Sequence, residues 1–264
     1  MCDTCGCNVT PANHHLVSAG GALAHTASGR ESVAVIKGLL DANDHEAVHN
    51  RAHFDAHGVF AINLMSSPGA GKTALLESTI GALRDEFRIA VIEGDLDTEN
   101  DAERIRAQGV PAVQISTGSA CHLDAHMIHG ALHQLAPASL DLVFIENVGN
   151  LVCPASFDLG QHCDVVLLSA PEGDDKPAKY PVMFRAADLL LLTKSDLIEA
   201  LGDFDPDRAI RAFRGLANAA PVLRTSSRSR NGMRDWLDWL RQAAAAHRTA
   251  LQAADAVASG GRRP

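Results

Sequence analysis

Short, mostly apolar runs alternate along this chain with longer stretches in which apolar residues recur at helical spacing. The runs are Val59-Phe60-Ala61-Ile62-Asn63-Leu64-Met65, Ile89-Ala90-Val91-Ile92, Ala112-Val113-Gln114-Ile115, Leu142-Val143-Phe144-Ile145, Val165-Val166-Leu167-Leu168, Leu189-Leu190-Leu191-Leu192 and Pro221-Val222-Leu223. Continuous runs of this length predict strands buried on both faces. With helix-like segments between most of them, they predict an α/β fold, a mostly parallel sheet covered by helices on both sides. In such sheets ligands gather at the carboxyl ends of the strands, so the loops after the runs are where chemistry is expected.

The region before the first run reads differently. Residues 1 to 50 lack sustained periodicity, although Val33, Ile36, Leu39 and Leu40 predict a helix starting near Ser32. That helix is expected to break and resume through Asp44 to His57, where His45, His49, His53 and His57 share one face. Ser259 to Pro264 reads as a frayed tail. The expected organisation is a Cys/His-bearing segment with its leading helix over 1–50, an α/β domain over 51–250, and a flexible tail over 251–264.

Composition narrows the possible functions. Of 264 residues, 46 % are hydrophobic and 21 % charged, as in an ordinary globular protein, and with 4 % aromatics the core must come from Ala, Leu, Val and Ile. Lys and Arg number 23 against 32 Asp and Glu, a formal charge of −9 that gives no basic field for a nucleic-acid backbone. No apolar run approaches the ~20 residues of a membrane helix. No basic stretch leads into an apolar one at the N-terminus, so a cytoplasmic protein is expected, with thiols kept reduced. Six cysteines in that setting point to metal or reactive chemistry before disulfides.

Ser66-Ser67-Pro68-Gly69-Ala70-Gly71-Lys72-Thr73 follows a predicted strand and opens a predicted helix running from Ala74 to about Glu86. That is the setting of a phosphate-binding P-loop, with Ser66 in place of the usual first glycine. The backbone from Pro68 through Ala74 would wrap phosphate oxygens at a helix N-terminus, its N–H donors beginning at Gly69, Lys72 would reach the β- and γ-phosphates, and Thr73 would ligate Mg²⁺. Asp95 and Glu146, at the ends of the second and fourth runs, are the expected partners of Lys72 in catalysis and of Thr73 in the Mg²⁺ shell. Gly149 is the expected γ-phosphate sensor. No Gln follows it to orient water, so slow hydrolysis that depends on a partner or dimer is expected.

Leu192-Thr193-Lys194-Ser195-Asp196 ends a strand where a base would sit. A carboxylate at Asp196 can accept from the N1–H and exocyclic amine of guanine but would face a lone pair on adenine. Thr193 stands where the usual guanine-reading tetrapeptide has Asn. Ser226 and Ser227 are placed to offer backbone donors to the base. A solvated Lys194–Asp196 pair is the alternative for this loop.

Cys2, Cys5 and Cys7 form Cys-x-x-Cys-Gly-Cys, in which Gly6 allows a tight turn toward one centre. Three thiolates plus one nitrogen suit Ni²⁺ if square-planar and Zn²⁺ if tetrahedral; a redox-active pair is the competing reading. Cys121-His122, expected to begin the helix after the third strand, and Cys153, just beyond Gly149, lie at the carboxyl edge of the sheet. They make a second, three-ligand set that two chains could complete across a symmetric dimer, with buried cysteines and a surface histidine as the plain alternative. Cys163 reads as a core residue. His122, His126, His129 and His133 repeat the helical stripe seen earlier; both stripes read first as solvated faces and second as weak metal stores.

Taken together, these motifs resemble the hydrogenase maturation GTPase family (HypB), which supplies nickel to [NiFe]-hydrogenase. The likeness spans nearly the whole chain and rests on Cys-x-x-Cys-Gly-Cys, the P-loop, Glu93-Gly94-Asp95, Cys121-His122, Glu146 through Pro154, and Glu172-Gly173-Asp174-Asp175-Lys176-Pro177. It implies a P-loop GTPase fold of the nucleotide-dependent dimerising branch, with GTP/GDP and Mg²⁺. It implies a tight nickel site at Cys2, Cys5 and Cys7, and a weaker nickel or zinc site at Cys121, His122 and Cys153. The implied partners are a second copy on GTP or metal binding, a zinc-containing hydrogenase accessory protein, a nickel metallochaperone and the hydrogenase large subunit, with no nucleic acid and no membrane. The alternatives are a urease-type nickel-insertion GTPase, which usually carries Cys-Pro-His and no Cys-x-x-Cys-Gly-Cys, and a nickel store with a regulatory nucleotide site. A small-molecule kinase would need an acceptor-binding insertion, and none is evident.

Overall fold

The computed structural model describes residues 30–95, 99–118 and 120–260. Seven strands, β1 (Phe60–Met65), β2 (Ile89–Asp95), β3 (Ala112–Ser116), β4 (Leu142–Glu146), β5 (Cys163–Ser169), β6 (Leu189–Thr193) and β7 (Val222–Arg224), form one sheet. Their order is β3-β2-β4-β1-β5-β6-β7. Every pairing is parallel, as the apolar runs predict. Each strand lies within a few residues of its run. Positions of β1, β4 and β6 are buried throughout, because helices cover both faces.

Those helices are α1 (Arg30–Ala56), α2 (Lys72–Leu83), α3 (Asn100–Arg106), α4 (Ala125–Leu132), α5 (Lys176–Lys179), α6 (Pro181–Ala186), α7 (Ile198–Leu201), α8 (Pro206–Arg214) and α9 (Met233–Gly260). The period-two geometry of the strands sends alternate residues to opposite faces. Phe60, Ile62 and Leu64 pack with Leu75, Leu76 and Ile80 of α2 and with Trp236 and Leu240 of α9. On the other face, Ala61 meets Phe54 of α1 and Ile128 of α4, while Met65 meets Phe184 of α6 and Phe213 of α8. The buried Trp236 indole donates to Thr79 Oγ1 at 2.8 Å, and that hydroxyl donates to the Leu75 carbonyl at 2.7 Å. A large apolar ring is thus buried with its one polar atom satisfied, fixing α9 on α2.

Two expectations about the ends are corrected. Instead of breaking near Asp44, α1 runs uninterrupted from Arg30 to Ala56, so residue 50 falls inside a helix. Distant partners anchor it along its length. Asn43 donates to the Asp158 carbonyl at 2.8 Å and accepts from the Ala125 amide at 2.9 Å; Asn50 donates to the Ala125 and Leu159 carbonyls at 2.7 and 3.1 Å. The loop reaches α1 this closely because Gly160, at φ +86°, has no Cβ; one would lie 2.6 Å from the Ala47 carbonyl oxygen. At the other end α9 continues to Gly260, beyond the boundary expected at residue 250. Among the described residues no helix is long and apolar enough to cross a membrane.

Candidate functional site

The loop after β1 opens α2 through two glycines in left-handed backbone, Gly69 at φ +74° and Gly71 at φ +98°. α2 begins at Lys72, two residues before the expected start at Ala74. Lys72 Nζ donates to Ser66 Oγ at 3.1 Å. The residue that replaces the usual first glycine therefore gives the lysine a buried acceptor. Thr73 Oγ1 donates to Glu146 Oε1 at 2.9 Å.

Glu93 joins this group. Its carboxylate, that of Glu146 and that of Asp101 present oxygens within 4.8 Å of one another. Burial, reinforced by the Glu146 charge, pushes the Glu93 carboxyl far above the usual carboxylate range. Burial also raises Glu146, opposed chiefly by the Lys72 ammonium. Glu93 Oε2 and Glu146 Oε2 are buried without hydrogen-bond partners. Two unpartnered carboxylate oxygens beside a threonine hydroxyl are costly by themselves and suit a hard divalent cation such as Mg²⁺. Asp95 lines the same cavity of about 500 Å³, as do Pro68 and Gly149. Sequence reasoning named Asp95 and Glu146 for the Mg²⁺ shell and did not foresee that Glu93 and Asp101 gather beside Glu146. The available signal was an ionisable residue continuing the apolar run Ile89 to Ile92.

A neighbouring cavity of about 250 Å³ is lined by Ala70, Ala74, Thr193, Asp196, Ser226 and Ser227. Thr193 Oγ1 donates to the Ala70 carbonyl at 2.8 Å, and Lys194 Nζ donates to the Gly69 carbonyl at 2.7 Å. Thr193 thus ties the base-side loop to the phosphate loop through its hydroxyl. Asp196 stays exposed at the cavity.

Beyond β4 the chain passes against the P-loop. A Cβ at Gly149 would lie 2.8 Å from both Pro68 Cα and Pro68 N, so only glycine fits. Asn147 Oδ1 accepts from the Val148 amide at 3.0 Å and from the Leu123 amide at 3.2 Å. This joins the phosphate-side loop to the segment carrying Cys121 and His122.

Cys121, His122 and Cys153 do come together, with ligand atoms within 4.8 Å of one another. Cys121 Sγ is 3.8 Å from His122 Nδ1, and Asn150 Nδ2 lies 3.6 Å from Cys153 Sγ. Cys121 and His122 do not begin α4 as expected. They lie in the preceding loop, because Asp124 caps the helix by accepting from the Met127 amide at 2.8 Å. His122 therefore leaves the helical stripe and stacks on Phe157 with ring centroids 3.9 Å apart. Burial lowers its imidazole to about 4, which keeps it in the neutral, ligand form at pH 7. Cys163 opens β5 in the core, its thiol raised well above the usual range by burial. Cys2, Cys5 and Cys7 lie outside the described residues.

The model of the CobW/HypB/UreG nucleotide-binding domain matches residues 60–224, from β1 to the end of β7. The hydrogenase maturation factor HypB of Azotobacter chroococcum is 51 % identical over 242 residues, covering 90 % of this chain and 79 % of that one. This chain belongs to the HypB family of hydrogenase maturation factors. The crystal structure of Helicobacter pylori HypB in complex with nickel superposes with a TM-score of 0.73 at 42 % identity, over 76 % of this chain and 94 % of that one. HypB from Archaeoglobus fulgidus gives the same TM-score at 40 % identity, over 78 % of this chain and all of that one. The phosphate loop, the sheet and the Cys121–His122–Cys153 cluster described above thus sit on a HypB fold.

Proposed function

We propose that this HypB-family chain is a GTP-hydrolysing metallochaperone that carries nickel and assists its insertion into [NiFe]-hydrogenase. One observation carries the reading: Gly149, against the phosphate loop, and Cys153, a thiol of the cluster, lie on the same short loop, and Asn147 ties that loop to Cys121 and His122. The nickel complex of the Helicobacter pylori relative supports nickel as the cargo.

In this reading the P-loop amides and Lys72 hold the β- and γ-phosphates, and Asp196 selects guanine. Thr73, Glu146, Glu93 and Asp95 would hold Mg²⁺, which when bound neutralises charge on the phosphates. Gly149 contacts the γ-phosphate through its amide and draws Cys153 with it, so the spacing of the ligand set depends on the nucleotide. Water attacks the γ-phosphorus as its bond to the β–γ bridging oxygen breaks, leaving GDP and phosphate. The absence of a Gln after Gly149 makes intrinsic turnover slow. A three-ligand set is completed when two chains associate, and zinc is a second candidate there. Cys2, Cys5 and Cys7 would form the tighter nickel site. The zinc-containing hydrogenase accessory protein, a nickel metallochaperone and the hydrogenase large subunit are the proposed exchange partners, in the cytoplasm.

Nickel titration of the full chain with GDP and with a non-hydrolysable GTP analogue tests this. Affinity at the Cys121–His122–Cys153 site and the mass by light scattering should both change between the two nucleotides. Lys72→Ala should abolish turnover and that difference. Equal nickel affinity in both states would leave a metal store, not a chaperone.

A further inference from the structure

One polar residue interrupts the apolar run of β1. Asn63 is buried at the centre of the sheet, on the strand between β4 and β5. In the parallel register it stands opposite Ile145 of β4 and Asp164 of β5, and Asn147 follows two residues after Ile145. The three polar side chains meet. Asn147 Nδ2 donates to Asn63 Oδ1 at 3.2 Å, and Asn63 Nδ2 donates to Asp164 Oδ1 at 2.9 Å. Gln161 Nε2 donates to both Asp164 oxygens at 3.0 and 3.1 Å, and its own Oε1 accepts from the Leu159 amide at 2.8 Å.

The direction of this row is set from both ends. Asn147 Oδ1 accepts from the Leu123 and Val148 amides, which can only donate. Its NH₂ group must therefore turn to Asn63, whose oxygen must face it and whose NH₂ must face Asp164. That far end needs an acceptor. Burial pushes the Asp164 carboxyl up to about 6, against the hydrogen bonds from Asn63 and Gln161, so at pH 7.5 it is ionised and only accepts. A buried polar row is tolerated when each member is satisfied, and its bonds then reinforce one another. The start of β5 is itself pinned. His162 Nδ1 accepts from the Ala61 amide at 2.9 Å, so its proton is on Nε2, 3.0 Å from Asp55 Oδ1 of α1. His247 Nε2 of α9 lies 3.9 Å from the same oxygen. This His162 clip holds β5 in the register that sets Asp164 beside Asn63.

We propose that Asp164 and Asn63 are positioning residues for the Cys121–His122–Cys153 set, the carboxylate fixing the orientation of two side-chain amides in series. Asn147 is the last of the series. Its oxygen holds the backbone just after His122 and the start of the loop that leads to Cys153. Neither Asp164 nor Asn63 lines the phosphate or base cavities, so their effect runs through Asn147. An asparagine at position 164 has the same shape, but whichever way its amide turns, an NH₂ group meets the donors of Asn63 or Gln161. Exchanging the two residues, Asn63→Asp with Asp164→Asn, makes the row consistent again. The carboxylate then accepts from Asn147 on one side and from the new amide on the other, and that amide's oxygen accepts from Gln161. For the thiols the inference rests on the metal reading proposed above; for the two backbone amides it does not.

The test uses the full chain with Cys2, Cys5 and Cys7 changed to Ser, at pH 7.5. Asp164→Asn should speed hydrogen exchange at the Leu123 and Val148 amides about tenfold. It should also weaken Co²⁺ binding at the remaining thiols about tenfold, read from the thiolate-to-cobalt absorption. The double exchange should bring both values back toward the parent's, which a loss of packing alone would not do. If Asp164→Asn fails to fold, the double variant decides alone. A folded chain with both amides protected as in the parent supports the proposal, and fast exchange overturns it. Unchanged exchange at both amides in a folded Asp164→Asn overturns it too. A parent that binds no Co²⁺ while its amides respond as expected counts against the metal reading and for the positioning role.

Discussion

Asp196 tests base selection at the level of one side chain. Its carboxylate has two acceptor oxygens for the two donors of guanine, and an amide keeps only one acceptor while adding donors. Xanthine carries a carbonyl where guanine has its amine. Asp196→Asn should therefore lower GTP affinity by about 100-fold and raise affinity for the xanthine nucleotide, measured by competition binding. An unchanged preference would remove Asp196 from the base site. Local spacing made the shape of the phosphate loop legible, since Gly69, Gly71, Lys72 and Thr73 fall in one turn at the start of α2. It also singled out Cys121, His122 and Cys153, whose ligand atoms the fold brings within 4.8 Å of one another. It did not reach Glu93, whose meaning comes from a contact with Glu146 on another strand. Ser66 and Thr193, departures from the usual motifs, become intelligible only when their hydroxyls are seen bonding Lys72 and the Ala70 carbonyl.

For an element as a whole, the loop from Asn147 to Cys153 is the informative case. Its approach to the P-loop depends on a missing side chain: a methyl at Gly149 would collide with Pro68 backbone, not with a movable side-chain end. Gly149→Ala should cost about 1–3 kcal/mol of stability and weaken nucleotide binding, read by urea melts and nucleotide titration. A variant that binds GTP normally would mean the contact is not needed. Strands were legible because their runs are almost entirely apolar, with only Asn63 and Gln114 breaking them. The continuity of α1 was not, because Asn43 and Asn50 read locally as helix-weakening residues and are held by carbonyls more than 70 residues away in sequence. The start of α4 was misplaced for a related reason, since its register follows the Asp124 cap and not the histidine spacing.

Across the molecule, the His162 clip joins α1, β1 and α9. Burial, together with the neighbouring His247, lowers His162 to about 4, and in the unfolded chain it returns toward 6.5. Between those values the unfolded state binds the extra proton, so stability should be constant above about pH 7 and fall as pH drops through 6.5 toward 4. Urea melts at pH 7.5 and pH 5 should differ by about 1–2 kcal/mol through this group. His162→Gln should lose stability at pH 7.5 and flatten the difference; an undiminished slope would assign it to other groups. The parallel topology was legible from the alternation of runs and helices, whereas the meeting of α1, β1 and α9 depends on packing between segments nearly two hundred residues apart.

The single amide oxygen of Asn147 bonds the Val148 and Leu123 amides at once. On the proposed function, anyone wishing to graft the Cys121–His122–Cys153 cluster onto another P-loop protein must therefore move two loops and the asparagine between them together. Transplanting the two thiols and the imidazole alone would, on that reading, yield a chelator deaf to its host's nucleotide.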